Sequence, residues 1–562
     1  MYDEQYLQAK NYENGFEAEK DELKAFELYY QLASQGHAPA QYRLGKMYLD
    51  NLLYEQHFFK DSLLPKTITI YEQLANIDDD IFAQATLDRI YKSNICNAKA
   101  LFELAAKQGN TDAQCALGEL YANGKGVNQN IDKAIELYQA AIQQGNIMAK
   151  FRLGEIYLAQ NNIEQAIALY KEAANAGYAP AQYDLAVRYD SGNGVEKNIE
   201  LALELYKKAA YGWHAPALYN FAVRYTTGDG TVKDENTAVF FFLKAAEQGH
   251  AEAQNVLGLR YENGQGVEKD YVKAIEWYSK AAAQNLATAQ FNLGEMYNNG
   301  YGVKPNATKA EKLHRKAAIQ GNADAQFNLG VTYTAWAELV NADDNFSLAN
   351  DEEFIIKQKE ITQQHLKSAV QWYLKAAVQG HAEAQYNLAL IYMAGTNWVT
   401  QNKSIAAKWY IKAAEQGHKT AQHNLGVMYD HGDGVPQDEI KAFEWYQKAA
   451  EQEFGPAMFN LGIAYDSGRG IKVIDKNLAF MWYLRAAEKG VPAAQYNVSV
   501  MYDDGVGVEK NPTLAFKWFH EANKTGYIDM LRVALRERQE NNKLLISSYK
   551  NGSKNARCVA TC

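Results

Sequence analysis

The side chains that could carry out chemistry are spread along this chain rather than grouped. Its 562 residues include 11 histidines and 4 cysteines, but no HExxH metal motif, no Walker-type phosphate loop and no GxSxG nucleophile turn. Ser547 and Lys550 match the SxxK of penicillin-recognising enzymes, without the SDN and KTG motifs that complete such a site. The sequence therefore predicts no catalytic residue, no cofactor and no metal site.

Asparagine is the polar residue whose spacing points to binding. It recurs at the sixth position of a repeating frame in which a tyrosine is eleventh. The row consists of Asn220, Asn292, Asn328, Asn387, Asn424, Asn460 and Asn497. Because an asparagine amide can both donate to and accept from a peptide backbone, a row on one helical face predicts a surface that holds an extended protein segment. The alternative is that each amide satisfies the backbone of a neighbouring helix.

Three further rows flank the asparagines. The fifth residue of the frame is often aromatic, the ninth is apolar, and the twelfth becomes acidic late in the chain. The members are Phe291, Phe327, Tyr386, Phe459 and Tyr496; Val331, Leu390, Val427, Ile463 and Val500; and Asp430, Asp466 and Asp503. Part of the aromatic row must pack between repeats. We expect the rest to form, over residues 287–527, an apolar groove with an acidic rim that favours a partner carrying Lys or Arg.

Arginine stands at the tenth position in the middle of the chain, at Arg188, Arg224 and Arg260. We expect these side chains to pair with acids such as Asp190 and Glu262, or to lie along the stack. The alternative is a patch that faces an acidic partner. The net charge of −10 and the lack of a Lys and Arg cluster argue against nucleic acid as a partner.

These rows exist because the whole frame repeats. Its tyrosine recurs at Tyr12, Tyr48, Tyr91, Tyr121, Tyr157, Tyr189, Tyr225, Tyr261, Tyr297, Tyr333, Tyr392, Tyr429, Tyr465 and Tyr502. Successive frames begin 36 residues apart between residues 179 and 323. A fixed period in this range indicates stacked repeats, which build extended binding surfaces more readily than closed catalytic pockets.

Each repeat has the pattern of two antiparallel helices. In residues 251–286 the predicted buried faces hold Ala253, Leu257, Gly258 and Tyr261 in the first helix and Ala274, Trp277, Tyr278, Ala281 and Ala282 in the second. Gly264 and Gly266 end the first helix, because glycine accepts left-handed backbone geometry. The predicted fold is all-α: a right-handed α/α superhelix, or solenoid, of about fourteen helix pairs.

The frame AxAQYxLGxMYxxGxGV…KAxxWYxKAAxQG resembles the Sel-one-like repeat (SLR) family, which is related to the tetratricopeptide repeat. Residues 419–454 match almost position for position, and the resemblance covers residues 2–527. It implies a non-enzymatic scaffold or adaptor that binds partner proteins on its concave face, as in bacterial signalling and envelope assembly. One alternative is an immunity protein that neutralises a secreted antibacterial effector by tight one-to-one binding. Another is the β-lactamase-like activity claimed for cysteine-rich relatives, whose cysteine pair in each repeat this chain lacks.

Departures from the frame divide the chain. The predicted segments are a first repeat at 1–37, irregular repeats at 38–110, regular repeats at 111–322, an expanded repeat with an acidic insertion at 323–381, regular repeats at 382–527, a capping helix at 528–548 and a flexible tail at 549–562. The insertion lies between residues 334 and 365 and includes Asp343 and Asp344. Insertions in repeat arrays often serve binding.

The beginning of the sequence and its hydropathy bear on the compartment. Residues 1–6 have neither a basic start nor an apolar core, so no secretory signal is predicted. No stretch is long and apolar enough to predict a membrane span. We therefore expect a cytoplasmic protein; its oligomeric state and the identity of its partner stay open.

Overall fold

The structure is a computed structural model that describes residues 2–16, 18–50, 81–342, 352–395, 399–524 and 526. Every regular element in these ranges is an α-helix, and they contain no strand. Within each of the two parts of the chain that are described below, consecutive helices pack against each other in pairs, and each pair packs on the next. The predicted all-α solenoid of antiparallel helix pairs is thereby confirmed.

The chain divides into an N-terminal half, Met1–Ala281, and a C-terminal half, Ala282–Cys562, which are described separately. The N-terminal half contains α1 (Tyr2–Asn14), α2 (Glu22–Ser34), α3 (Ala38–Asp50), α4 (Ile81–Lys107), α5 (Thr111–Asn123), α6 (Ile131–Gln143), α7 (Ile147–Ala159), α8 (Ile163–Asn175), α9 (Ala179–Ser191), α10 (Ile199–Tyr211), α11 (Ala215–Thr227), α12 (Glu235–Glu247), α13 (Ala251–Asn263) and most of α14 (Tyr271–Ala283). The C-terminal half contains α15 (Ala287–Asn299), α16 (Ala307–Ile319), α17 (Ala323–Ala342), α18 (Glu352–Val378), α19 (Ala382–Ala394), α20 (Lys403–Glu415), α21 (Lys419–His431), α22 (Glu439–Glu451), α23 (Gly455–Ser467), α24 (Lys476–Glu488), α25 (Pro492–Asp504) and α26 (Pro512–Lys524).

Small residues let the two helices of a repeat approach closely. A Cβ on Gly258 in α13 would lie 2.6 Å from the Tyr278 ring of α14, so only glycine leaves room for that ring. Tyr278 is fully buried, whereas Tyr261 and Trp277, predicted to share the buried faces, are only partly buried. The recurring eleventh tyrosine therefore borders the core, and the large ring of the second helix fills it.

The glycine pair between the helices is a turn, as predicted. Gly264 ends α13 in the left-handed region with φ +71, and its amide donates to the carbonyl of Arg260 over 2.9 Å. Gly266 has φ +69, and a Cβ there would lie 2.8 Å from the carbonyl oxygen of Glu235 in the preceding repeat. Positive φ and close packing together explain why glycine recurs at these positions.

The glutamine of the AxAQ motif joins successive repeats. Gln385 in α19 is buried, and its Nε2 donates to the carbonyl of Ala377 near the end of α18 over 2.9 Å. Its Oε1 accepts from Gln416, just beyond α20, over 2.8 Å. The same pair of bonds forms at Gln422 with Ala414 and Gln452. Each of these carbonyls also accepts from a turn amide, Ala377 from Gly380 over 3.1 Å and Ala414 from Gly417 over 3.0 Å. The glutamine therefore adds a second bond at the helix end and links it to the next repeat.

Two repeats carry extra sequence between their helices. In the N-terminal half α3 packs on α4 as the first and second helix of one pair. In the C-terminal half the expanded repeat is the long pair α17 and α18. The acids Asp343 and Asp344 lie outside the described residues, as do the predicted capping helix at 528–548 and the tail at 549–562.

Candidate protein-binding surface

The first helices of the repeats present one stripe to solvent. In α17 and α19 the second, ninth and thirteenth residues of the frame are exposed, and the fifth, sixth and twelfth are partly buried beside them. This spacing corresponds to one face of an α-helix. The ninth position lies at the centre of the stripe, and the asparagines lie at its edge.

Apolar side chains occupy the ninth position in both halves, and we call them the ninth-position row. The most exposed members are Val187 (37%), Leu259 (40%), Val331 (42%), Leu390 (39%) and Val500 (39%). Val427 and Ile463 are partly buried. Val187 and Leu259 extend this row beyond residues 287–527, to which the prediction confined it, and their apolar character at the ninth position was the signal. Apolar residues that recur along an exposed stripe indicate an interaction surface.

The asparagines of the sixth position already have partners within the chain. Asn424 donates from Nδ2 to the hydroxyl of Tyr410 over 3.3 Å. Asn387, Asn460 and Asn497 lie beside the hydroxyls of Tyr373, Tyr446 and Tyr483, where their amides oppose the rise in pKa that burial causes in these tyrosines. Nδ2 of Asn460 also lies 3.2 Å from Nε2 of His423. Asn328 donates to Glu295 over 2.9 Å, and Asn292 also has a contact within the chain. The partners are thus mainly tyrosine hydroxyls, rather than the helix backbone that the sequence suggested. A role of these amides in binding a partner stays a prediction.

The polarity of the sixth residue matches the polarity of the aromatic residue fourteen positions earlier, and we call this relation the ring-to-sixth pairing. That ring belongs to the second helix of the preceding repeat. Polar pairs are Tyr29/Arg43, Tyr138/Arg152, Tyr170/Asp184, Tyr206/Asn220, His314/Asn328, Tyr373/Asn387, Tyr410/Asn424, Tyr446/Asn460 and Tyr483/Asn497; apolar pairs are Phe102/Ala116 and Phe242/Val256. A polar ring is thus followed by a polar residue and phenylalanine by an apolar one.

Burial gives the physical reason for this pairing. Burial raises the pKa of Tyr410 to about 12, so its hydroxyl stays neutral and needs a hydrogen-bond partner. A buried hydroxyl without one costs about 1–3 kcal/mol. Phe242 brings no hydroxyl, and Val256 packs against the same apolar cluster. Packing between successive repeats therefore partly determines which residue type occupies the sixth position.

The aromatic fifth position packs between repeats. The rings of Phe327 and Tyr386 stack on His381 and His418, each at a centroid distance of 4.6 Å. His418 caps α21, since its Nδ1 accepts from the amide of Ala421 over 3.1 Å. Tyr496 is also partly buried. These rings therefore pack between repeats at the edge of the solvent-facing stripe.

The predicted acidic rim is largely paired with cations. Asp430 accepts from Arg469 over 3.2 Å, and Asp466 accepts from Lys476 over 2.7 Å. Asp503 is exposed and forms no ion pair with any residue in the described ranges. The structure therefore offers a basic partner one unpaired carboxylate of the three.

The arginines of the tenth position are held within the N-terminal half. Arg224 forms ion pairs with Asp190 and Asp229, and its side chain is only 12% exposed. Arg260 pairs with Glu235 and is 6% exposed. These acid partners agree with the expected ion pairing, and the low exposure disfavours a patch for an acidic partner.

The expected partner Glu262 instead accepts from the Tyr278 hydroxyl over 2.6 Å. Arg188 lies over the Tyr170 ring, 5.6 Å from its centroid, and donates to the carbonyl of Asn193 over 3.4 Å. Arg188 therefore lies along the stack of repeats, which was the second of the two arrangements expected for these arginines.

No group of three or more His, Cys, Asp or Glu side chains in the described part of the chain could hold a metal ion. Among the described helices, none combines the length and the apolarity needed to cross a membrane.

Solved structures with related repeats exist. The chain is 28% identical to a protective antigen present in uropathogenic Escherichia coli strains that displays an SLR fold, over 96% of this chain and 99% of that one, with a TM-score of 0.53. A Sel1 repeat protein from Oxalobacter formigenes is 32% identical over 49% of this chain and 98% of its own, with a TM-score of 0.38. An immunity protein from Pseudomonas aeruginosa is 26% identical over 42% and 81%, with a TM-score of 0.27. No curated protein matches the chain.

The sequence pattern of the Sel1 repeat recurs along most of the chain. It matches residues 5–37, 38–50, 92–110, 111–146, 147–178, 179–212, 215–250, 251–286, 287–322, 361–381, 382–418, 419–454, 455–491 and 492–527. These matches include the AxAQ glutamines and the turn glycines whose contacts are described above. The chain therefore belongs to the Sel1 repeat family.

Proposed function

We propose that this protein is a non-enzymatic scaffold that binds partner proteins along the ninth-position row of its first helices. The observation that carries the proposal is the exposure of that row. Val331 and Leu390 stand at the centre of a solvent-facing stripe, although apolar residues at other positions of the same helices, such as Leu329 and Leu388, are fully buried. Covering such side chains with a partner is favourable because it removes apolar surface from water.

The partner we propose is an extended protein segment with apolar residues, and we place the main site in residues 287–527. There the ninth-position row runs beside the asparagines, whose amides are only partly buried. The unpaired carboxylate of Asp503 favours a Lys or Arg in the segment. Each ninth-position contact should contribute about 1 kcal/mol, because these side chains are partly covered already.

A pair of matched variants tests the proposal. V331D/L390D places charge in the ninth-position row, and L374D/I440D makes the same change at apolar residues of second helices that are 42% and 62% exposed. We expect V331D/L390D to lose at least 10-fold in capture of partners, measured by crosslinking and mass spectrometry in the source cell. L374D/I440D should keep them, and both should retain the helical melting transition. Retention of every partner by V331D/L390D would place the binding surface elsewhere.

Stoichiometry separates a scaffold from an immunity protein. A scaffold holds more than one partner or several segments along its array. An immunity protein would bind a single effector one-to-one. Light scattering of the purified complex measures this ratio, and a one-to-one complex with a single toxic effector would favour the immunity function.

A further inference from the structure

The repeat at residues 147–178 has the shortest turn between two paired helices that the structure describes. Three residues, 160–162, join α7 to α8, whereas seven join α13 to α14 and eight join α23 to α24. In the longer turns the second glycine packs on the first residue of the preceding second helix. Gly266 does so at Glu235, since a Cβ on this glycine would lie 2.8 Å from the carbonyl oxygen of Glu235. The short turn has no such glycine, so it leaves the equivalent residue of α6, Ile131, without this cover.

An open cleft lies in the N-terminal half where this cover is missing. Its volume is about 490 Å³, and its walls include Ile131 and Tyr138 of α6 and Arg152 and Glu155 of α7. The equivalent place in the C-terminal half, beside Tyr446, encloses only about 50 Å³. The same position of the repeat is therefore nearly closed where the turn is long and open where the turn is short.

The C-terminal half shows which side chain occupies this place when the turn is long. Arg469, from the turn between α23 and α24, is one of the residues that line it. Its guanidinium donates to Asp430 over 3.2 Å and lies 3.8 Å from the carboxylate of Glu439. Both acids belong to the preceding repeat. The occupant that the chain itself supplies is thus an arginine presented by a turn.

The open cleft carries more negative than positive charge. Glu119 and Glu155 line it together with Arg152, which lies 3.5 Å from the first carboxylate and 2.9 Å from the second. The side chains of the two glutamates are 50% and 41% exposed, so a ligand can reach them. Two carboxylates share one guanidinium, and a Lys or Arg side chain from another protein would balance the remaining charge.

Tyr138 gives a second, independent indication of a polar ligand. The residue lines the cleft and is only 2% exposed, but its hydroxyl forms no hydrogen bond with any other residue in the described ranges. Arg152, its partner in the ring-to-sixth pairing, donates to Glu155 instead. Burial raises the pKa of Tyr138, so its hydroxyl stays neutral and can accept from a cation. A buried hydroxyl without a partner is unfavourable, and a donor in the cleft would remove this penalty.

We propose that this cleft is a second protein-binding site, which receives a turn of a partner protein that presents a Lys or Arg side chain. The cation lies between Glu119 and Glu155 and donates to the hydroxyl of Tyr138. Apolar atoms of the same turn cover Ile131, as a glycine turn does in other repeats. The site is separate from the ninth-position row, because it lies in other repeats and binds through charged rather than apolar side chains.

Photocrosslinking of the full-length protein in the source cell tests the site. The probe is benzoylphenylalanine in place of Asn123, which is exposed and lines the cleft. We expect a crosslink to a partner segment that has a Lys or Arg within a few residues of the crosslinked position. E119Q/E155Q should lower the yield by about 10-fold or more, because charge-assisted bonds are lost. E136Q/E164Q neutralises two exposed acids of α6 and α8 outside the cleft and should leave the yield unchanged.

The outcomes of this experiment separate the two binding sites. V331D/L390D should leave the crosslink at residue 123 unchanged, so a failure of the ninth-position row would not be mistaken for a failure of the cleft. No crosslink in the parent, a crosslinked segment without a basic residue, or a crosslink to a second copy of this chain would overturn the proposal. Equal yields from E119Q/E155Q and E136Q/E164Q would overturn it as well.

Filling the cleft from within the chain is the second test. Replacing residues 160–162 with a copy of residues 264–270 gives this repeat an ordinary turn, whose second glycine should cover Ile131. The variant should retain the helical melting transition, because the same seven residues already join α13 to α14. It should also lose the crosslink from residue 123, because the turn then occupies the place of the partner. A variant that folds and still crosslinks as the parent does would overturn the proposal.

Discussion

The two halves of the chain place different chemistry at the same position of the same helix. In the N-terminal half the sixth residue is charged at Arg152 and Asp184, and both lie in a network with Glu119, Glu155 and Arg188. In the C-terminal half the sixth residue is a neutral asparagine from Asn292 onward. Both kinds of residue follow a buried ring of the preceding second helix. Charged and neutral side chains therefore occupy the same packing position, but burying them costs different amounts of desolvation free energy.

The cost shows in the acid–base behaviour of the two halves. Burial, with a smaller contribution from the nearby Glu155, raises the pKa of Asp184 to about 6. An amide such as Asn424 has no charge to desolvate and bonds the Tyr410 hydroxyl directly. Charge at the sixth position should therefore make the N-terminal half sensitive to pH, whereas the asparagines should make the C-terminal half sensitive to the loss of hydrogen bonds.

The largest expected effect is the removal of three asparagines from the C-terminal half. N387A/N424A/N460A removes an amide from beside the hydroxyls of three buried tyrosines, of which Tyr373 keeps a bond with Thr334. The free energy of unfolding should therefore fall by roughly 2–3 kcal/mol, about 1 per lost bond. Adding Y373F/Y410F/Y446F should restore most of it, because the hydroxyls are then gone. Urea unfolding followed by circular dichroism measures both. A triple variant that unfolds like the parent would show that the amides are free for a partner.

An intermediate effect is expected when Asp184 of the N-terminal half is changed to the asparagine of the C-terminal half. A raised pKa means that the carboxyl contributes stability below its ordinary pKa near 4, and that this contribution is lost as pH rises through about 6. D184N should therefore stabilise the protein by about 1–2 kcal/mol at pH 7.5 and by less at pH 4.5.

N424D is the matched reverse change in the C-terminal half. It places a carboxylate beside Tyr410, so it should destabilise the protein at pH 7.5 and recover as the pH falls. Urea midpoints at both pH values compare the two variants. A loss of stability in D184N at pH 7.5 would show instead that Asp184 gains more from Arg188 than it loses by desolvation.

The sequence predicted the helix pairs and their turns because period and glycine spacing are local signals. Gly264 and Tyr278 could be assigned without knowing what packs beside them. The partners of the sixth position could not be assigned from one helical face, because Asn424 bonds a tyrosine in the second helix of the preceding repeat. The sequence did contain evidence for these partners in the repeats that lack a polar sixth residue. Val256, for example, takes the place of a polar residue and follows a phenylalanine by fourteen positions. Comparing rings with sixth residues would have exposed it.

The smallest expected effect concerns His423, which occupies the fifth position where other repeats of the C-terminal half have an aromatic ring. Its ring meets Tyr446 and Phe454 and contacts the amides of Asn424 and Asn460. None of these groups is charged, so burial lowers the pKa of His423, with only the Asn424 bond opposing it. In the N-terminal half burial also lowers the pKa of His250, but there the carboxylate of Glu252 opposes the shift.

A lowered pKa means that the unfolded chain binds the proton more tightly, so the contribution of His423 to stability is lost as pH falls below about 6.5. H423F supplies the phenylalanine that the following repeat has at Phe459 and removes the titrating group. Between pH 7.5 and 5.5 its loss of stability should be smaller than that of the parent by about 1 kcal/mol or less. H250N, which keeps a helix cap, should change the pH dependence less than H423F does. Thermal melts across this range measure the difference. Parallel pH profiles for the parent and H423F would mean that the amides of Asn424 and Asn460 stabilise the charged ring as well as water does.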